Sequence, residues 1–413
     1  MLFPEFEPTL NSRPDLATPY AKFEKALGKM GKNPILVPNR VAKVSGITRP
    51  LASFFISALA SLNALQPLEV KRCSVCEALA YPAEIECSQC GANFTESPTT
   101  TRKAHTFAGV KSMNNEAWEE ASEKARIGIV TALPREANAV LCSFEEKSKI
   151  ARSSNVYDVG TVPGVGGTHY CIHATSGMGN QRAGVVGTQM LERFPNIDFL
   201  IMVGIAGIIP APTDPKNHAR LGDIVVSNLK GVVQYDFKKE HDGWEEIRAA
   251  PVRPANTLLS GVERLQRLEE DGTAADQTPW VVHGCRIAKR LKLEWPETDV
   301  LHSANDPDVE ITHPEDPDRT EGVPRVFRAP IASSNTLLKN PKRRDQLGKD
   351  HACRAVEMEG SGVAEAAWAG ESGYLVIRAG CDYCDKHKDK DWQKYAAALA
   401  AGYLRALLEE LAV

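Results

Sequence analysis

The stretch Tyr374-Leu-Val-Ile-Arg-Ala-Gly-Cys-Asp382 joins four apolar residues to two charged ones. The apolar residues, 374–377, predict a short buried strand, and Arg378 and Asp382 follow where that strand ends. In open α/β sheets, ligands bind in the crevice outside the carboxyl ends of the strands. The stretch therefore predicts a ligand site that includes Arg378 and Asp382. The alternative interpretation is a surface loop with ordinary charges.

Similar strand-length apolar runs recur from Arg126 onward and alternate with helical patterns. Ile127–Leu133 and Phe199–Val203 each predict a buried strand. Residues 392–411 predict a final helix whose apolar side chains fall on one face, so that it packs against a sheet. The pattern predicts an α/β domain, residues 125–413, in which helices cover both faces of one sheet.

Three carboxylates in this domain follow apolar strands or open helices: Glu136, Glu359 and Asp382. Two glycine-rich turns, Ser176-Gly-Met-Gly179 and Gly204-Ile-Ala-Gly207, end two further strands. At such turns the bare backbone can approach a ligand, and helix-start amides can face an anion or a water. Together these features predict a crevice lined by acids and backbone amides. The alternative is a buried Glu-Arg pair that serves the structure alone.

Two close cysteine pairs, Cys73-Ser-Val-Cys76 and Cys87-Ser-Gln-Cys90, precede this domain. Four thiolates at this spacing can surround Zn²⁺ tetrahedrally, which leaves no open position for a substrate. We therefore predict a structural zinc ribbon over residues 71–96, against the alternative of four unrelated buried cysteines. Residues 1–70 predict a partly helical segment, and residues 97–124 predict a linker with a short helix at its end. A protein partner that docks through residues 1–124 is one hypothesis; an oligomerisation element or a lid on the next domain are others.

The composition narrows the class of protein. Of 413 residues, 43% are hydrophobic and 25% charged, which excludes wholesale disorder. A net charge of −4 gives no electrostatic case for binding nucleic acid. The longest apolar run, Leu51–Leu65, falls short of the ~20 residues that span a bilayer. Because the chain opens without a basic-then-apolar leader and its cysteines suit a metal site, we expect a cytoplasmic protein.

The acidic, proline-rich residues 305–321 predict a surface excursion.

Residues 126–413 resemble the purine nucleoside phosphorylase and nucleosidase superfamily. The likeness is strongest to methylthioadenosine/adenosylhomocysteine nucleosidases and to the related domains of NLR-type defence proteins. The resemblance implies a three-layer α/β/α fold with a mixed central sheet. The motifs that carry it are Ile127-Gly-Ile-Val-Thr-Ala-Leu with Glu136, Ser176-Gly-Met-Gly, Gly204-Ile-Ala-Gly, Gly222-Asp-Ile-Val-Val-Ser, Val232-Val-Gln-Tyr-Asp-Phe237, Ala332-Ser-Ser-Asn335, Val356-Glu-Met-Glu359 and Arg378-Ala-Gly-Cys-Asp382.

The resemblance also implies catalytic roles. Breaking a purine N-glycosidic bond builds positive charge on the ribose and negative charge on the departing base. Asp382 matches the family's acid, which protonates or hydrogen-bonds N7 of the base. Glu136 matches the glutamate that accepts a proton from the attacking water, and Arg378 matches a group that fixes this water. Glu359 matches the carboxylate that holds the ribose hydroxyls.

Further residues match the family's substrate contacts. Met358 is expected to pack on the sugar face, and Ser176 to help Arg378 fix the water. Lys386, with His387 and Lys388, is expected to meet phosphates at the 5′ end of a nucleotide, although these residues also suit a solvated loop. The remaining predicted substrate contacts are Arg135, Gly177, Ala206, Gly207, Asp236, Ser333 and Asn335.

The function implied is hydrolysis of adenine nucleosides or nucleotides, ATP among them, to free base and sugar. Glu136 favours hydrolysis because a carboxylate in the phosphate pocket would repel phosphate. Depletion of a nucleotide would make the protein an antiviral defence effector. Two alternatives are a phosphate-dependent phosphorylase, in which Arg135 contacts phosphate, and a nucleotide sensor without turnover. No cofactor is expected for catalysis, and the resemblance implies a homo-oligomer.

Overall fold

The computed structural model separates the chain into two compact units, residues 1–117 and 118–413. The cysteines of the predicted zinc ribbon, Cys73, Cys76, Cys87 and Cys90, lie outside the described residues. None of the helices in the described part of the chain is long and apolar enough to cross a bilayer. The structure describes residues 13–29, 36, 38–61, 65–72, 79–80, 100–107, 117–152, 155–248, 252–387 and 390–413.

The first unit contains three helices packed around an aromatic cluster. The helices are α1 (Ala17–Lys29), α2 (Pro38–Ser45) and α3 (Arg49–Ser61). Phe23 and Phe55 are fully buried with ring centroids 5.1 Å apart. Burying such rings supplies much of a small unit's apolar stabilisation. Helix α3 overlaps the apolar run Leu51–Leu65.

An antiparallel sheet completes the first unit. Its strands are β1 (Leu65–Arg72), β2 (Leu79–Ala80) and β3 (Thr100–Phe107), in the order β2-β1-β3. Residues 73–78 connect β1 to β2, whose ends pair with each other. Strand β3 lies within residues 97–124, the predicted linker.

The second unit alternates strands and helices, as the apolar runs predict. Its elements, in chain order, are α4 (117–124), β4 (Ala125–Thr131), α5 (Pro134–Ser143), β5 (Lys147–Arg152), β6 (Asn155–Gly164), β7 (Gly167–Thr175), α6 (Asn180–Arg193), β8 (Phe199–Ile208), β9 (Ile224–Val226), β10 (Val232–Gln234), β11 (Lys238–His241), β12 (Trp244–Ile247), α7 (Asn256–Glu270), α8 (Pro279–Arg290), β13 (Leu301–His302), β14 (Glu310–Ile311), β15 (Val326–Arg328), β16 (Ile331–Ser333), α9 (Pro341–His351), β17 (Ala355–Glu357), α10 (Gly360–Ala369), β18 (Gly373–Asp382) and α11 (Lys390–Glu409).

Eleven strands form one mixed sheet, which confirms the predicted fold class. The main path runs β10-β16-β17-β8-β4-β7-β6-β5, and β18 pairs with β8 and β9. Strands β4, β7, β8 and β18 run parallel, whereas β17 is antiparallel to β8. The carboxyl ends of the parallel strands therefore meet at one edge, where ligands bind in such sheets.

Helices cover both faces of the sheet. Helices α6 and α10 pack together on β4, β8 and β18. Helix α11 packs against β8 and β18 and also contacts α5, α7 and α8. Its buried side chains include Trp392, Leu399 and Tyr403, as the periodicity predicts. The domain thus has the three layers that the sequence predicts.

Strand β18 is buried along almost its whole length beside β8. Its register with β8 shifts between Gly380 and Asp382, which marks a bulge. A bulge re-aims the side chains that follow it and is common next to active sites. Here it sets the direction of Asp382 relative to Arg378.

The acidic, proline-rich residues 305–321 lie at the surface, as predicted, since each of them is exposed or half-buried, but several of their side chains are held by the rest of the domain. Within them, the side chain of Asp316 is 4% exposed, and Arg319 donates to buried Asp223 at 2.6 Å. His313 lies 2.8 Å from His218. Long-range pairing of this kind buries charged residues that a sequence pattern reads as surface.

Candidate active site

Arg378 is the centre of a buried charge cluster at the carboxyl edge of the sheet. Its side chain is fully buried, and Nη2 donates to Glu359 Oε2 at 3.1 Å and to Glu357 Oε2. Nη1 lies 3.9 Å from Glu136 Oε1. The three carboxylates raise the pKa of Arg378 although burial opposes them, so the guanidinium stays charged. The structure thus brings three predicted residues, Glu136, Glu359 and Arg378, together.

Glu357 is a member of this cluster that the sequence analysis gave no role. Its Oε2 also accepts the backbone N–H groups of Glu359, at 2.9 Å, and Gly360, at 2.7 Å. The carboxylate therefore fixes both the guanidinium and the turn that carries Glu359. The sequence does contain a signal for Glu357. It stands two residues before Glu359, and residues two apart along a strand project to the same face.

The carboxylate of Glu359 faces the glycine-rich turn before α6. Oε1 accepts the N–H of Gly179 at 2.9 Å, and Oε2 accepts from Arg378. Burial raises the pKa of Glu359 to about 7, with a further contribution from Glu357, while Arg378 acts in the opposite direction. The carboxyl group of Glu359 therefore changes its protonation state near neutral pH. Only its ionised form can accept hydrogen bonds from hydroxyl groups with both oxygens.

Glu136 lies in the first turn of α5 and reaches back to the backbone before the helix. Oε2 accepts the N–H groups of Ala132, at 2.8 Å, and Leu133, at 2.7 Å. Oε1 accepts the N–H of Ile205 at 2.8 Å, which ties α5 to β8. Burial raises the pKa of Glu136, against the opposing effect of Arg378 and these N–H groups. A raised pKa makes the carboxylate a better base for a water proton.

Two glycines in β8 make room for the acids. A Cβ on Gly204 would lie 2.3 Å from Glu136 Oε1 and 2.4 Å from Arg378 Nη1. A Cβ on Gly207 would lie 2.2 Å from Cys384 Sγ and 3.0 Å from Asp382 Oδ1. Neither site accommodates a side chain, so the motif Gly204-Ile-Ala-Gly207 serves close approach of the carboxylates.

Asp382 lies beside Gly207, at the carboxyl end of the motif Gly204-Ile-Ala-Gly207. Gly204 pairs with Arg378 and Gly207 with Asp382, so the two charged residues are separated by about 10 Å along β8 at ~3.3 Å per residue. Oδ1 of Asp382 accepts the N–H of Cys384 at 2.9 Å. Its side chain also borders a cavity of about 240 Å³ between residues 298–302 and 381–387. Asp382 therefore lies apart from the charge cluster, on the same strand.

Asn335, Ser333 and Asp236 are joined to the start of α6. Asn335 Oδ1 accepts the N–H of Asn180 at 3.1 Å, and Asn335 N–H donates to Asp236 Oδ2 at 2.8 Å. Ser333 Oγ donates to Asn180 Oδ1 at 3.0 Å. These predicted substrate contacts therefore connect β16, β10 and α6. Asn180 was missed from the sequence, where an isolated asparagine carries no signal.

The remaining predicted contacts have different surroundings. Ser176 Oγ donates to the carbonyl oxygen of Gly177 at 2.8 Å, and Gly177 has a φ of +77°, which glycine adopts readily. Ala206 is buried beside Gly207, and Met358 is half-buried between Glu357 and Glu359.

Two predicted cationic contacts have partners of their own. Arg135 Nη1 donates to Gln393 at the start of α11. Lys386 pairs with exposed Asp308 at 2.7 Å, as in a solvated loop. Lys388 lies outside the described residues.

The geometry places two buried carboxyl groups with raised pKa values, those of Glu136 and Glu359, beside the charged guanidinium of Arg378, with the carboxyl group of Asp382 apart from them. Glu136 can take a proton from a water, and Glu359 can accept hydroxyl hydrogen bonds. Asp382 can donate to a leaving group on the far side. Arrangements of two functional carboxyl groups on either side of a scissile bond suit glycosidic cleavage.

Two curated proteins have sequences similar to part of this chain. No family model matches the chain. A nucleotide-binding leucine-rich repeat (NLR)-like protein of Hyaloscypha variabilis is 31% identical over 306 residues, which cover 70% of this chain. The match spans only 29% of that relative's length. A 5′-methylthioadenosine/S-adenosylhomocysteine nucleosidase of Mycobacterium bovis is 24% identical over 289 residues, covering 70% of this chain and 97% of the relative.

The chain is similar to nucleosidases and to an NLR-like protein. Among solved structures, S-adenosylhomocysteine nucleosidase of Streptococcus pyogenes, in complex with 5-methylthiotubericidin, has a TM-score of 0.49 at 18% identity. The matched region covers 70% of this chain and 98% of the nucleosidase chain. Futalosine hydrolase of Helicobacter pylori has a TM-score of 0.47 at 17% identity, covering 69% of this chain and 97% of its own.

Proposed function

We propose that this protein hydrolyses the N-glycosidic bond of purine nucleosides, with adenine nucleosides or nucleotides as substrates. The observation that carries the proposal is the buried cluster of Arg378 with Glu136, Glu357 and Glu359, with Asp382 one bulge further along the same strand. A site that only binds a nucleotide needs neither a buried base nor a separate acid. The similarity to a nucleosidase over 97% of that relative's length supports the same reaction class.

In the proposed reaction, a water held near Arg378 attacks C1′ of the ribose. Glu136 takes the proton of this water as the C1′–O bond forms. The C1′–N9 bond breaks, and its electron pair passes to the purine, whose N7 takes a proton from Asp382. Glu359, as a carboxylate, accepts hydrogen bonds from the ribose hydroxyls and stabilises the positive charge that develops on the sugar. The products are free base and ribose or its 5′-substituted form.

Phosphorolysis is the rival reaction in the same fold. Phosphate would have to approach a buried carboxylate, Glu136, which already uses three backbone N–H groups. Two negative groups in a low-dielectric site repel each other strongly. Hydrolysis is therefore favoured.

The test is chromatography of the base released from adenosine, AMP, ATP, inosine and methylthioadenosine, each with and without inorganic phosphate. Release without phosphate supports hydrolysis, and the best substrate separates nucleoside salvage from nucleotide depletion. Release only with phosphate would establish a phosphorylase. Binding without release would identify a sensor.

Further parts of the proposal concern the rest of the chain. Similarity to an NLR-like protein supports a defence role in which ATP or another adenine nucleotide is depleted. We also propose a cytoplasmic location, which buried thiols such as those of Cys171 and Cys353 suit. Cys73, Cys76, Cys87 and Cys90 are proposed to bind a structural zinc ion, whose content should fall in Cys73→Ser.

We also propose a homo-oligomer and a protein partner for residues 1–124. Exposed Val185 and Trp368 line a groove between α6 and α10, where apolar surface suits a protein contact. Light scattering of the full chain measures the oligomer directly.

A further inference from the structure

The residues that follow Asp382 are held by the hairpin β13–β14 and its flanks, a segment that the proposed chemistry does not use. Tyr383 O–H donates to Asp299 Oδ1 at 2.6 Å, just before β13. The ring of His387 stacks on that of His302, in β13, with centroids 3.8 Å apart and planes 6° from parallel. Asp299 and His302 therefore contact the residues that follow Asp382 in the chain.

Asp299 is itself firmly held. Arg220 Nε donates to Oδ2 at 2.7 Å, and His313 Nε2 lies 2.9 Å from the Asp299 carbonyl oxygen. Burial alone would raise the pKa of Asp299, but hydrogen bonds from His313, Tyr383 and Arg220 lower it to about 2. The carboxylate is therefore a permanent acceptor for the Tyr383 hydroxyl at any working pH.

The backbone of Tyr383 is held from another direction. Arg344 Nη1, on α9, donates to the Tyr383 carbonyl oxygen at 2.6 Å, and Arg344 is 2% exposed. The next residue, Cys384, has a φ of +53°, a left-handed conformation that costs free energy outside glycine. That conformation places the Cys384 N–H on Asp382 Oδ1 at 2.9 Å. Contacts on both sides of Tyr383 therefore sustain a strained turn that orients the acid.

We propose that Tyr383, held by Asp299 and Arg344, is a positioning residue that orients the carboxyl group of Asp382 towards the leaving base. The inference rests on the proposed function and goes beyond it, because it gives the hairpin β13–β14 a role in the reaction. Tyr383 touches neither base nor sugar; it acts through the turn at Cys384. A purely structural role for the same contact would affect every substrate alike.

The test compares two leaving groups. A purine needs a proton from Asp382, whereas nitrophenolate is a stable anion and leaves para-nitrophenyl riboside without one. In Tyr383→Phe, which removes only the hydroxyl, kcat for the best purine nucleoside is expected to fall about tenfold with KM within about twofold. Activity on para-nitrophenyl riboside is expected to stay within about twofold.

Tyr374→Phe is the matched control, because it also removes a buried hydroxyl that hydrogen-bonds a backbone carbonyl. It lies at the opposite end of β18, about 26 Å from Asp382 at ~3.3 Å per residue, and is expected to leave both activities unchanged. In a double-mutant cycle, Tyr383→Phe is expected to add nothing to the loss caused by Asp299→Ala. Independent, additive losses would contradict the inference.

The result that overturns the inference is an equal loss on both substrates, or no loss on the purine, in folded Tyr383→Phe. Failure of the proposed function has a different signature. In that case the wild-type protein releases no base without phosphate, or Asp382→Asn loses both activities equally.

Discussion

Nη2 of Arg378 lies 3.1 Å from Oε2 of Glu359, and both side chains are buried at the carboxyl edge of the sheet. The same guanidinium also serves Glu357 and lies near Glu136. One cation therefore compensates three buried carboxylates. Stability, pH dependence and catalysis are all coupled through this arrangement.

Replacing Arg378 by methionine is expected to destabilise the protein by about 3–5 kcal/mol, because it leaves buried carboxylates without a counter-charge. Urea unfolding measures this change. The loss should be smaller at acidic pH, where the carboxyl groups are protonated. Arg328→Met is the control; it breaks a half-exposed pair with Glu269 and is expected to cost about 1 kcal/mol or less. Equal effects of the two variants would contradict the account.

The raised pKa of Glu359 is expected to make the free energy of unfolding depend on pH. Its pKa is raised from 4.5 to about 7 in the folded state, first by burial. The folded protein thus retains a proton that the unfolded chain has released. This contribution to stability is fully present below the unfolded pKa and is lost as the pH rises through about 7. Between about pH 5 and pH 8 the free energy of unfolding should fall by roughly 3 kcal/mol from this group. Glu359→Gln should abolish that fall; an unchanged slope would exclude Glu359 as its source.

Activity should follow the opposite trend. Ionised Glu359 is the form that accepts ribose hydroxyl hydrogen bonds, so kcat/KM for a purine nucleoside should rise with pH through about 7. Initial rates over a pH series test this, with circular dichroism confirming that the fold persists. A profile without a rising limb near neutrality would contradict the assigned role.

Glu136→Gln is expected to lower kcat by about 10²–10⁴-fold with little change in KM, because glutamine cannot accept the water proton. The amide nitrogen cannot accept the backbone N–H groups that one carboxylate oxygen accepts, so circular dichroism must show that the variant is folded. Glu145→Gln, which alters a half-exposed partner of Arg405, serves as the control. If the two variants retain equal activity, Glu136 only caps the helix.

Gly207→Ala tests the close approach of the acid. The new Cβ would meet Cys384 Sγ at 2.2 Å and Asp382 Oδ1 at 3.0 Å, so the turn must shift. We expect kcat to fall at least about tenfold, since a displacement near 1 Å is costly in a catalytic geometry. In Gly167→Ala the new Cβ meets the side chain of Val413 at 3.3 Å, and activity should be unaffected. Full activity in Gly207→Ala would show that the acid lies elsewhere.

The sequence predicts the central part of this structure well. Continuous apolar runs specify β4, β8 and β18 because parallel strands are buried on both faces. The run 374–377 predicts a strand that ends before Arg378, but β18 extends to Asp382, so Arg378 lies within the strand and not after it. The apolar periodicity of α11 likewise required a sheet beneath it.

Other features depend on contacts that no local pattern encodes. The bulge at Cys381 follows from the pairing of β18 with β8. The role of Glu357 follows from its contact with Arg378, which also binds Glu359. Tyr383 donates to Asp299 across 84 residues of chain, a contact that the sequence pattern does not predict. Long-range hydrogen bonds decide these points.

The most direct test of the account is release of free base from adenosine, AMP and ATP without inorganic phosphate, by the wild-type protein and by Asp382→Asn. The account predicts release by the wild type and a loss of about 10²–10⁴-fold in folded Asp382→Asn. Unchanged turnover in Asp382→Asn, or release that requires phosphate, would contradict it.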